Sequence, residues 1–272
     1  MNIHILTIFP EMFQGPMSSS IIGRACQKGL LSIEPHNLRD YTKDKHRQVD
    51  DTPYGGGAGM VMKAEPFFEA LTELTGSPKQ KKVGRKIIML TPQGATFTQK
   101  KAQELATMSE IIFLCGRYEG IDERVRQTWV DEEISIGDYI LTGGELATMV
   151  IIDALVRFLP GALGDEMSAQ EESFSDGLLE YPQYTKPATW QGMTVPAPLL
   201  SGHHEQIRKW RRKEAFKRTY QFRPELLRGR SLSIEDQILF AEALQELGMP
   251  VEIEKSSRKK KRKGRTKDDM GE

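Results

Sequence analysis

The sequence contains only two cysteines, Cys26 and Cys115, among its 272 residues. Both lie in apolar surroundings, and neither has the spacing of a metal-ligand motif. Two isolated thiols cannot form the disulfide framework of a small secreted domain. We therefore expect both thiols to be reduced, as in a cytosolic protein.

Long apolar segments are also absent. No run approaches the roughly 20 residues that span a bilayer. The first residues, Met1 to Ile5, lack the basic leader and apolar core of a secretory signal. We expect a cytoplasmic protein without membrane contact, long enough for one large domain and one small one.

The chain has no net charge, since 38 basic residues balance 38 acidic ones, but the two signs are separated along it. Residues 119–180 contain fifteen acidic residues and three arginines, whereas residues 203–230 contain ten Lys or Arg and three Glu. Residues 255–267 add nine Lys or Arg and no acid. One charged cluster is usually a solvated surface, but two successive basic segments favour a polyanionic partner such as nucleic acid.

Short apolar runs alternate with amphipathic segments over the first 160 or so residues. Strands are predicted at residues 3–9, 30–38, 87–90, 111–115 and 133–136. Helices are predicted at residues 20–28, 64–74, 98–108, 121–129 and 145–159. This alternation is typical of an α/β domain with a largely parallel sheet.

Glycine-containing loops follow three of the predicted strands, at residues 91–94, 116–120 and 137–144. Ligands of parallel sheets bind beyond the carboxyl ends of the strands. Glycine also lets backbone N–H and C=O groups approach a ligand closely. The three loops therefore predict a small-molecule pocket, but they do not identify its ligand.

A fourth glycine cluster, residues 54–60, matches neither the phosphate-loop motif nor the dinucleotide-binding motif. It fits a flexible connection, or a backbone surface pressed against a ligand or another subunit. The sequence leaves both alternatives open. The missing phosphate loop disfavours a nucleotide-binding hydrolase.

The predicted helix at residues 145–159 is almost wholly apolar, which indicates burial in a large core or against a second subunit. Asp153 and Arg157 lie four residues apart on it. They could form an intrahelical ion pair. Alternatively, Arg157 could serve a site, because an arginine among apolar neighbours is costly to bury without a role.

The composition changes after this helix. We predict a first domain at residues 1–162, a flexible linker at 163–180, a helical domain at 181–253 and a disordered basic tail at 254–272. Four prolines make residues 182–198 an extended connection, and Ser233 caps the last helix. The helix predicted at residues 201–220 mixes aromatic and basic side chains, as RNA-binding surfaces do.

Five segments of the chain resemble the bacterial tRNA (guanine-N1)-methyltransferases, the TrmD family of the SPOUT superfamily. They are Tyr54–Met60, Leu114–Arg124, Ser135–Glu145, Ser173–Leu179 and Ser201–Trp210. The resemblance implies a SPOUT-type fold whose loops 116–120 and 137–144 are tied into a trefoil knot, a rare exception to unknotted chains. It also implies a homodimer with active sites between subunits, S-adenosylmethionine as methyl donor, and tRNA as substrate. The target it implies is N1 of the guanosine immediately 3′ of the anticodon.

The resemblance implies catalytic roles for Asp176 as base, for Arg157 in stabilising charge on guanine O6, and for Glu119 in holding the guanine or the donor. Cofactor contacts are implied for Leu90, Thr91, Pro92, Gly116, Tyr118, Gly120, Ser135, Ile136, Gly137, Asp138, Tyr139, Ile140, Leu141, Gly143 and Gly144. tRNA contacts are expected from Tyr54, Gly57, Gly59, His203, His204, Arg208, Trp210, Arg211 and Arg212. Mg²⁺ is a possible cofactor, but the sequence shows no metal-ligand set. A non-catalytic RNA-binding protein with a SPOUT-like domain is the alternative function.

Overall fold

The computed structural model describes residues 1–78, 82–164 and 172–250. The chain divides into two compact units, of which the first ends at Asp176 and the second begins at Gly177. The predicted linker, residues 163–180, includes this boundary, and its residues 165–171 lie outside the described residues. The predicted basic tail, residues 254–272, also lies outside them. The domain limits at residues 162 and 181 stay predictions.

The strands of the first unit are β1 (Asn2–Thr7), β2 (Ser32–Asn37), β3 (Asp50–Asp51), β4 (Val61–Met62), β5 (Arg85–Thr96), β6 (Glu110–Cys115) and β7 (Glu132–Ser135). Five of them form one parallel sheet in the order β2-β1-β6-β5-β7, and β3 pairs with β4. This arrangement confirms the predicted α/β class with a parallel sheet.

The helices of this unit are α1 (Gln14–Ser18), α2 (Ser20–Gln27), α3 (Ala64–Thr75), α4 (Gln99–Ala106), α5 (Glu123–Trp129) and α6 (Gly144–Val156). The predicted cap of α4 is confirmed, because the Thr98 hydroxyl accepts a hydrogen bond from the backbone N–H of Lys101. Within the described residues, no helix combines the length and the apolar character needed to cross a membrane.

Strand β6 lies at the centre of the sheet, and all six of its residues are buried. Ile111 and Phe113 face an apolar core shared with α2, α4 and α6, whereas Ile112 and Leu114 face a second core that includes α3 and α5. A strand buried on both faces has a continuous apolar sequence. Each large apolar side chain stabilises the fold by about 1.5–3 kcal/mol on burial.

Strand β5 is longer than the sequence predicted. Proline and glycine after Leu90 predict that the strand ends there, but it continues to Thr96. Leu90 and Ala95 both pair with Ile134 of β7, so residues 91–94 bulge out between two paired segments. The prediction located the loop correctly and was wrong in ending the strand there. The bulge tolerates Pro92 because it needs no ladder hydrogen bond.

Helix α6 is apolar on all sides, but only one side is buried in this unit. Leu146 and Val150 remain 49% exposed, although most of the helix packs into the core. The helix ends at Val156, and Arg157 is its C-cap residue. Among the described residues Arg157 pairs with Glu172, and no ion pair joins it to Asp153. The predicted alternative of an ion pair between Asp153 and Arg157 within the helix is therefore wrong.

The second unit contains a small hairpin, β8 (Thr189–Trp190) with β9 (Met193–Thr194), and the helices α7 (Ala197–Leu200), α8 (His204–Phe222) and α9 (Ile234–Glu246). Phe216 and Leu239 join α8 and α9 in one apolar core. The Ser233 hydroxyl accepts a hydrogen bond from the backbone N–H of Asp236 at 3.0 Å, which confirms the predicted cap of α9. The extended connection predicted at residues 182–198 is wrong in part, because the hairpin lies within it.

Gly94 generates a testable prediction about the return of β5 to β7. A Cβ at residue 94 would lie 2.4 Å from the backbone nitrogen of Ile134. Because that nitrogen belongs to a paired strand, we expect Gly94→Ala to lower the free energy of unfolding by about 1–3 kcal/mol. Urea denaturation measures this quantity.

Gly15→Ala is the matched control, since a Cβ at residue 15 would meet no atom within 4 Å. We expect no loss of stability in this variant. Equal losses in the two variants would contradict the steric account of Gly94.

Candidate functional site

Three loops at the carboxyl ends of β5, β6 and β7 enclose a cavity of about 500 Å³. They are the bulge at residues 91–94, the segment 116–121, and the segment 136–144 that leads into α6. Small-molecule sites in proteins typically measure about 300–1,000 Å³. The cavity is therefore large enough for a ligand of nucleoside size.

Nearly all residues that the resemblance assigns to the cofactor line this cavity. They are Leu90, Thr91, Pro92, Gly116, Tyr118, Gly120, Ser135, Ile136, Gly137, Tyr139, Ile140, Leu141, Gly143 and Gly144. Asp138 does not line it. The cavity is also lined by seven residues that were not predicted from the sequence, namely Met89, Gln93, Arg117, Ile121, Ile134, Thr142 and Ala147. Most of these residues are next in the chain to residues that the resemblance assigns. Their position in the sequence could therefore have identified them.

Two unusual backbone positions shape the wall of the cavity. Tyr118 has a φ of 59°, a left-handed conformation that is rare for a bulky residue and concentrates at functional sites. Gly137 has a φ of 146°, and a Cβ there would lie 2.6 Å from the Tyr139 ring. The Ser135 hydroxyl accepts a hydrogen bond from the Gly137 N–H at 3.2 Å and donates one to its carbonyl at 3.1 Å. The chain itself thus holds the loop in shape.

A largely buried ion pair joins the loop after β6 to the first turn of α6. Glu145, in the first turn of α6, accepts hydrogen bonds from Arg117 Nε at 2.9 Å and from the Thr7 hydroxyl at 2.7 Å. The Arg117 guanidinium also lies 4.5 Å from the centroid of the Phe9 ring. The buried carboxylate is favoured at a helix N-terminus, where the helix dipole is positive. These contacts fix β1, β6 and α6 beside the cavity.

Cys115 ends β6 and is not a nucleophile in this site. Burial raises the pKa of the Cys115 thiol far above its usual range. The sulfur lies 3.3 Å from the Thr148 hydroxyl. The thiol stays protonated at neutral pH, and a thiol is a poor nucleophile compared with a thiolate. Both cysteines are free, as expected.

The three residues with implied catalytic roles do not share one site within this chain. Glu119 lines the cavity, with its carboxylate against Gly59, where a Cβ would lie 2.4 Å from Oε1. Arg157 lines a separate groove and pairs with Glu172. Its Nε is buried and has no hydrogen-bond partner among the described residues. Asp176 is exposed and does not line the cavity.

Among the described residues, the glycine loop at residues 54–60 contacts this site through Gly59 and Met60. The Glu119 backbone N–H donates to the Met60 carbonyl at 2.9 Å. Tyr54 is fully exposed, and Gly57 has a φ of 126° with no atom within 4 Å of a built Cβ. Within the described part of the chain, glycine at position 57 is therefore explained by its positive φ and not by a close contact.

The arginines predicted to contact RNA already have partners in the second unit. Arg208 pairs with Glu205 and Glu235, Arg212 pairs with Asp236, and Arg211 lies over the Tyr181 ring. The Arg208 side chain is half exposed, so a phosphate could replace its carboxylate partners. The Arg212 side chain is mostly buried, which favours a structural contribution.

The remaining residues predicted to contact RNA differ in exposure. The Trp210 ring is half-buried, and its centroid lies 6.3 Å from that of Tyr184. His203 caps α8, and His204 is exposed. Trp190 on the hairpin, which was not among the predicted RNA contacts, is 63% exposed. An exposed tryptophan is a surface on which a base can stack.

The sequence is similar to known proteins over most of its length. The family model described as tRNA (Guanine-1)-methyltransferase TrmD matches residues 1–229. A tRNA (guanine-N(1)-)-methyltransferase of Heliobacterium modesticaldum is 66% identical over 266 residues, covering 97% of this chain and 98% of the relative. The Carboxydothermus hydrogenoformans protein of the same name is 56% identical over 252 residues, covering 93% and 97%. A Halalkalibacterium halodurans protein of that name is 54% identical over 239 residues, covering 88% and 96%.

The buried pair of Arg117 and Glu145 leads to a stability prediction. Glu145→Gln keeps the size of the side chain but leaves the arginine charge without its counter-charge. We expect the free energy of unfolding to fall by about 3 kcal/mol, because breaking a buried pair exposes one charge to an apolar environment. Chemical denaturation measures the loss.

Glu123→Gln is the control, since Glu123 is exposed and pairs with Arg126 on the surface of α5. Surface pairs contribute little because water screens them. If the two variants were equally stable, Glu145 would not have the anchoring role described above.

Proposed function

The chain belongs to the tRNA (guanine-1)-methyltransferase TrmD family, and from this premise we propose that it methylates N1 of the guanosine immediately 3′ of the tRNA anticodon, with S-adenosylmethionine as donor. Its activity is methyl transfer to N1 of guanine in tRNA, as the family match and the names of its relatives indicate. A tRNA substrate supports the cytoplasm as the proposed site of action.

The cavity at the ends of β5, β6 and β7 is the observation that carries the choice of donor. Its volume of about 500 Å³ fits a nucleoside-sized ligand. Its wall includes glycine-containing loops, whose backbone groups can hydrogen-bond an adenine edge. Leu90, Ile136 and Leu141 supply apolar surface for a ring. S-adenosylmethionine would supply a methyl group already activated on a sulfonium.

Guanine N1 carries a proton at neutral pH and is a poor nucleophile until that proton leaves. The chain must therefore supply a general base. Asp176 is the proposed base, and its exposed position beside Gly177 supports the role, because a substrate can reach it. The carboxylate would accept the N1 proton while N1 takes the methyl group.

Removal of the N1 proton shifts negative charge onto guanine O6. Arg157 is proposed to stabilise that charge. Its buried Nε without a partner among the described residues supports this role, because a ligand oxygen could satisfy it. Glu119 lies in the wall of the donor cavity, where it would orient the guanine edge or the charged end of the donor.

The proposed active site requires a second copy of the chain. Glu119 lines the donor cavity, whereas Arg157 and Asp176 do not. A homodimer would bring the Arg157 and Asp176 of one copy to the cavity of the other. Leu146 and Val150 support such an association, because two large apolar side chains stay half exposed on α6.

The trefoil knot implied by the family is part of the proposal. Arg117 and Gly143 form an isolated antiparallel bridge. The Gly144 N–H also donates to the Gly116 carbonyl at 2.9 Å. These contacts hold the two glycine loops against each other, which supports a knotted crossing of the chain.

Binding of tRNA is assigned to the second unit. Its helix α8 carries a high density of Arg and Lys, and the half-exposed Arg208 could exchange a carboxylate for a phosphate. The exposed ring of Trp190 adds a stacking surface. Electrostatic contacts of this kind make affinity depend on salt concentration.

The first test of the function removes the proposed base. Asp176→Asn keeps the shape of the side chain but cannot accept the N1 proton. We expect the rate of methyl transfer to fall at least about a hundredfold, since a general base contributes about 10²–10⁴. Labelled S-adenosylmethionine, unmodified tRNA and nucleoside analysis for N1-methylguanosine give the rate and the atom that is modified.

Asp40→Asn is the control, because Asp40 is an exposed aspartate that pairs with Arg47 far along the chain from the cavity loops. Binding of donor and tRNA should be preserved in both variants. Wild-type turnover by Asp176→Asn would rule out the assigned base. A methyl group on another RNA atom, or none, would overturn the function itself.

The second test concerns Arg208. If its guanidinium contacts a tRNA phosphate, Arg208→Gln should weaken tRNA binding and reduce the slope of log affinity against log salt by about 1. Glu205→Gln should strengthen binding, because it releases Arg208 from an acidic partner. Filter binding across a salt series measures both effects.

A purely structural Arg208 would give a different pattern. Both substitutions would then weaken tRNA binding in parallel, since each breaks the same ion pair. Affinity for S-adenosylmethionine should stay constant in either variant.

A further inference from the structure

Two neighbouring strands bring three potential metal ligands together at the edge of the sheet opposite β7. In the parallel pairing of β1 with β2, His4 is opposite Glu34 and Leu6 is opposite His36. Side chains alternate between the faces of a strand, so Glu34 and His36 share a face. His4 points to that same face, where its ring contacts His36. No metal ligands were predicted from the sequence, because His4 is distant along the chain from the other two residues.

The inward atoms of these side chains are already close to ligand spacing. His4 Nδ1 lies 3.0 Å from His36 Nε2 and 3.6 Å from Glu34 Oε2. One potential ligand atom from each of the three residues lies within 4.8 Å of the others. Two ligand atoms about 2.0–2.2 Å from a tetrahedral ion are about 3.4 Å apart. The ring and carboxylate positions therefore need only small movements to enclose an ion.

The outward atoms of the two β2 residues are held by other groups. His36 Nδ1 lies 3.4 Å from the Tyr41 hydroxyl, which itself donates to Glu73 Oε1 at 3.4 Å. Because the Tyr41 hydroxyl donates its proton to Glu73, it acts as the acceptor toward His36. Nδ1 of His36 then carries the proton. That assignment leaves the lone pair of His36 on Nε2, facing His4. The Ser32 hydroxyl donates to Glu34 Oε1 at 3.0 Å, which leaves Oε2 available.

The outer nitrogen of His4 also faces an acceptor. His4 Nε2 lies 3.8 Å from Glu110 Oε1, and Arg85 and Lys82 hold the other oxygen of Glu110 at 2.6 Å and 3.3 Å. In the metal-free chain, His4 Nδ1 therefore donates the 3.0 Å hydrogen bond to the lone pair of His36 Nε2. A bound metal ion would displace this proton from Nδ1, and a proton on Nε2 would then face Glu110. Histidine ligands of metals are commonly oriented by an acceptor at the second ring nitrogen.

We propose that His4, Glu34 and His36 form a binding site for a divalent transition metal of the zinc class. Two imidazoles and one carboxylate are a ligand set that zinc and cobalt(II) accept, whereas Mg²⁺ prefers oxygen ligands. Glu34 has a side chain that is 54% exposed, so the fourth position opens to water. The site lies on β1 and β2, away from the donor cavity of β5, β6 and β7. Its bound ion would tie the edge strand β2 to β1.

The test uses the full chain after treatment with a chelator. Zinc binding is measured by calorimetry, and cobalt(II) binding by the intensity of its visible absorption bands, which reports four-coordination. We expect one tightly bound ion per chain and a higher thermal unfolding temperature in the presence of zinc, because a ligand specific for the native state stabilises it.

Glu34→Gln and His36→Asn should each weaken zinc binding at least about tenfold and abolish the thermal shift. His46→Asn is the matched control, since His46 is exposed in a loop and should leave zinc binding unchanged. Circular dichroism checks that each variant is folded. Should His36→Asn fail to fold, Glu34→Gln decides the question because Glu34 is largely exposed. Zinc affinity equal to wild type in Glu34→Gln, or no stoichiometric binding by the wild-type chain, would overturn the proposal.

Discussion

The close approach of helix α6 to the end of strand β6 is the constraint on which the rest of the first unit depends. A Cβ at Gly144 would lie 2.8 Å from the Cα of Cys115, and one at Gly143 would lie 2.2 Å from Arg117 Nε. Only glycine allows these two contacts. Glu145 then supplies the charge that makes it possible to bury Arg117 beside the helix start. The loop at residues 136–144 must consequently lie against the loop after β6, and the cavity is the space between them and the β5 bulge.

The cavity accounts for binding of the donor in the proposed reaction, whereas methyl transfer would require association of two copies of the chain. The cavity proposed for the donor is formed by one copy, because its three loops belong to one sheet edge. Arg157 and Asp176 lie away from it, so on the proposed function a single copy would bind the donor without transferring its methyl group. Helix α6 would then contribute to both folding and activity. It packs into the core, and it presents Leu146 and Val150 outward for the proposed dimer.

Fewer of the basic side chains in the second unit are available to bind RNA than its sequence suggests. Lys213 and Lys217 of α8 both contact Glu246 of α9, and Arg212 contacts Asp236. Much of the basic run therefore holds α8 to α9 in addition to any part in RNA binding. An exposed ion pair such as that of Arg208 with Glu205 contributes little to stability by comparison. A phosphate can compete for the more exposed members, of which Arg208 is one.

The sequence by itself determined the strands and helices whose apolar residues form a continuous run or repeat with a regular period. The apolar run of β6, the caps at Thr98 and Ser233, and the three glycine loops follow from local patterns. The resemblance to a family added the identities of most residues in the donor cavity. These features depend on residues that are close together in the chain.

Only the tertiary structure decided features that depend on distant residues. The continuation of β5 past Pro92 requires β7 as a partner, and the pairing of Arg117 with Glu145 requires α6 to start beside β6. The meeting of His4 with His36 requires two strands to pair in one register. No local pattern encodes such contacts, because each depends on where packing brings two separate segments.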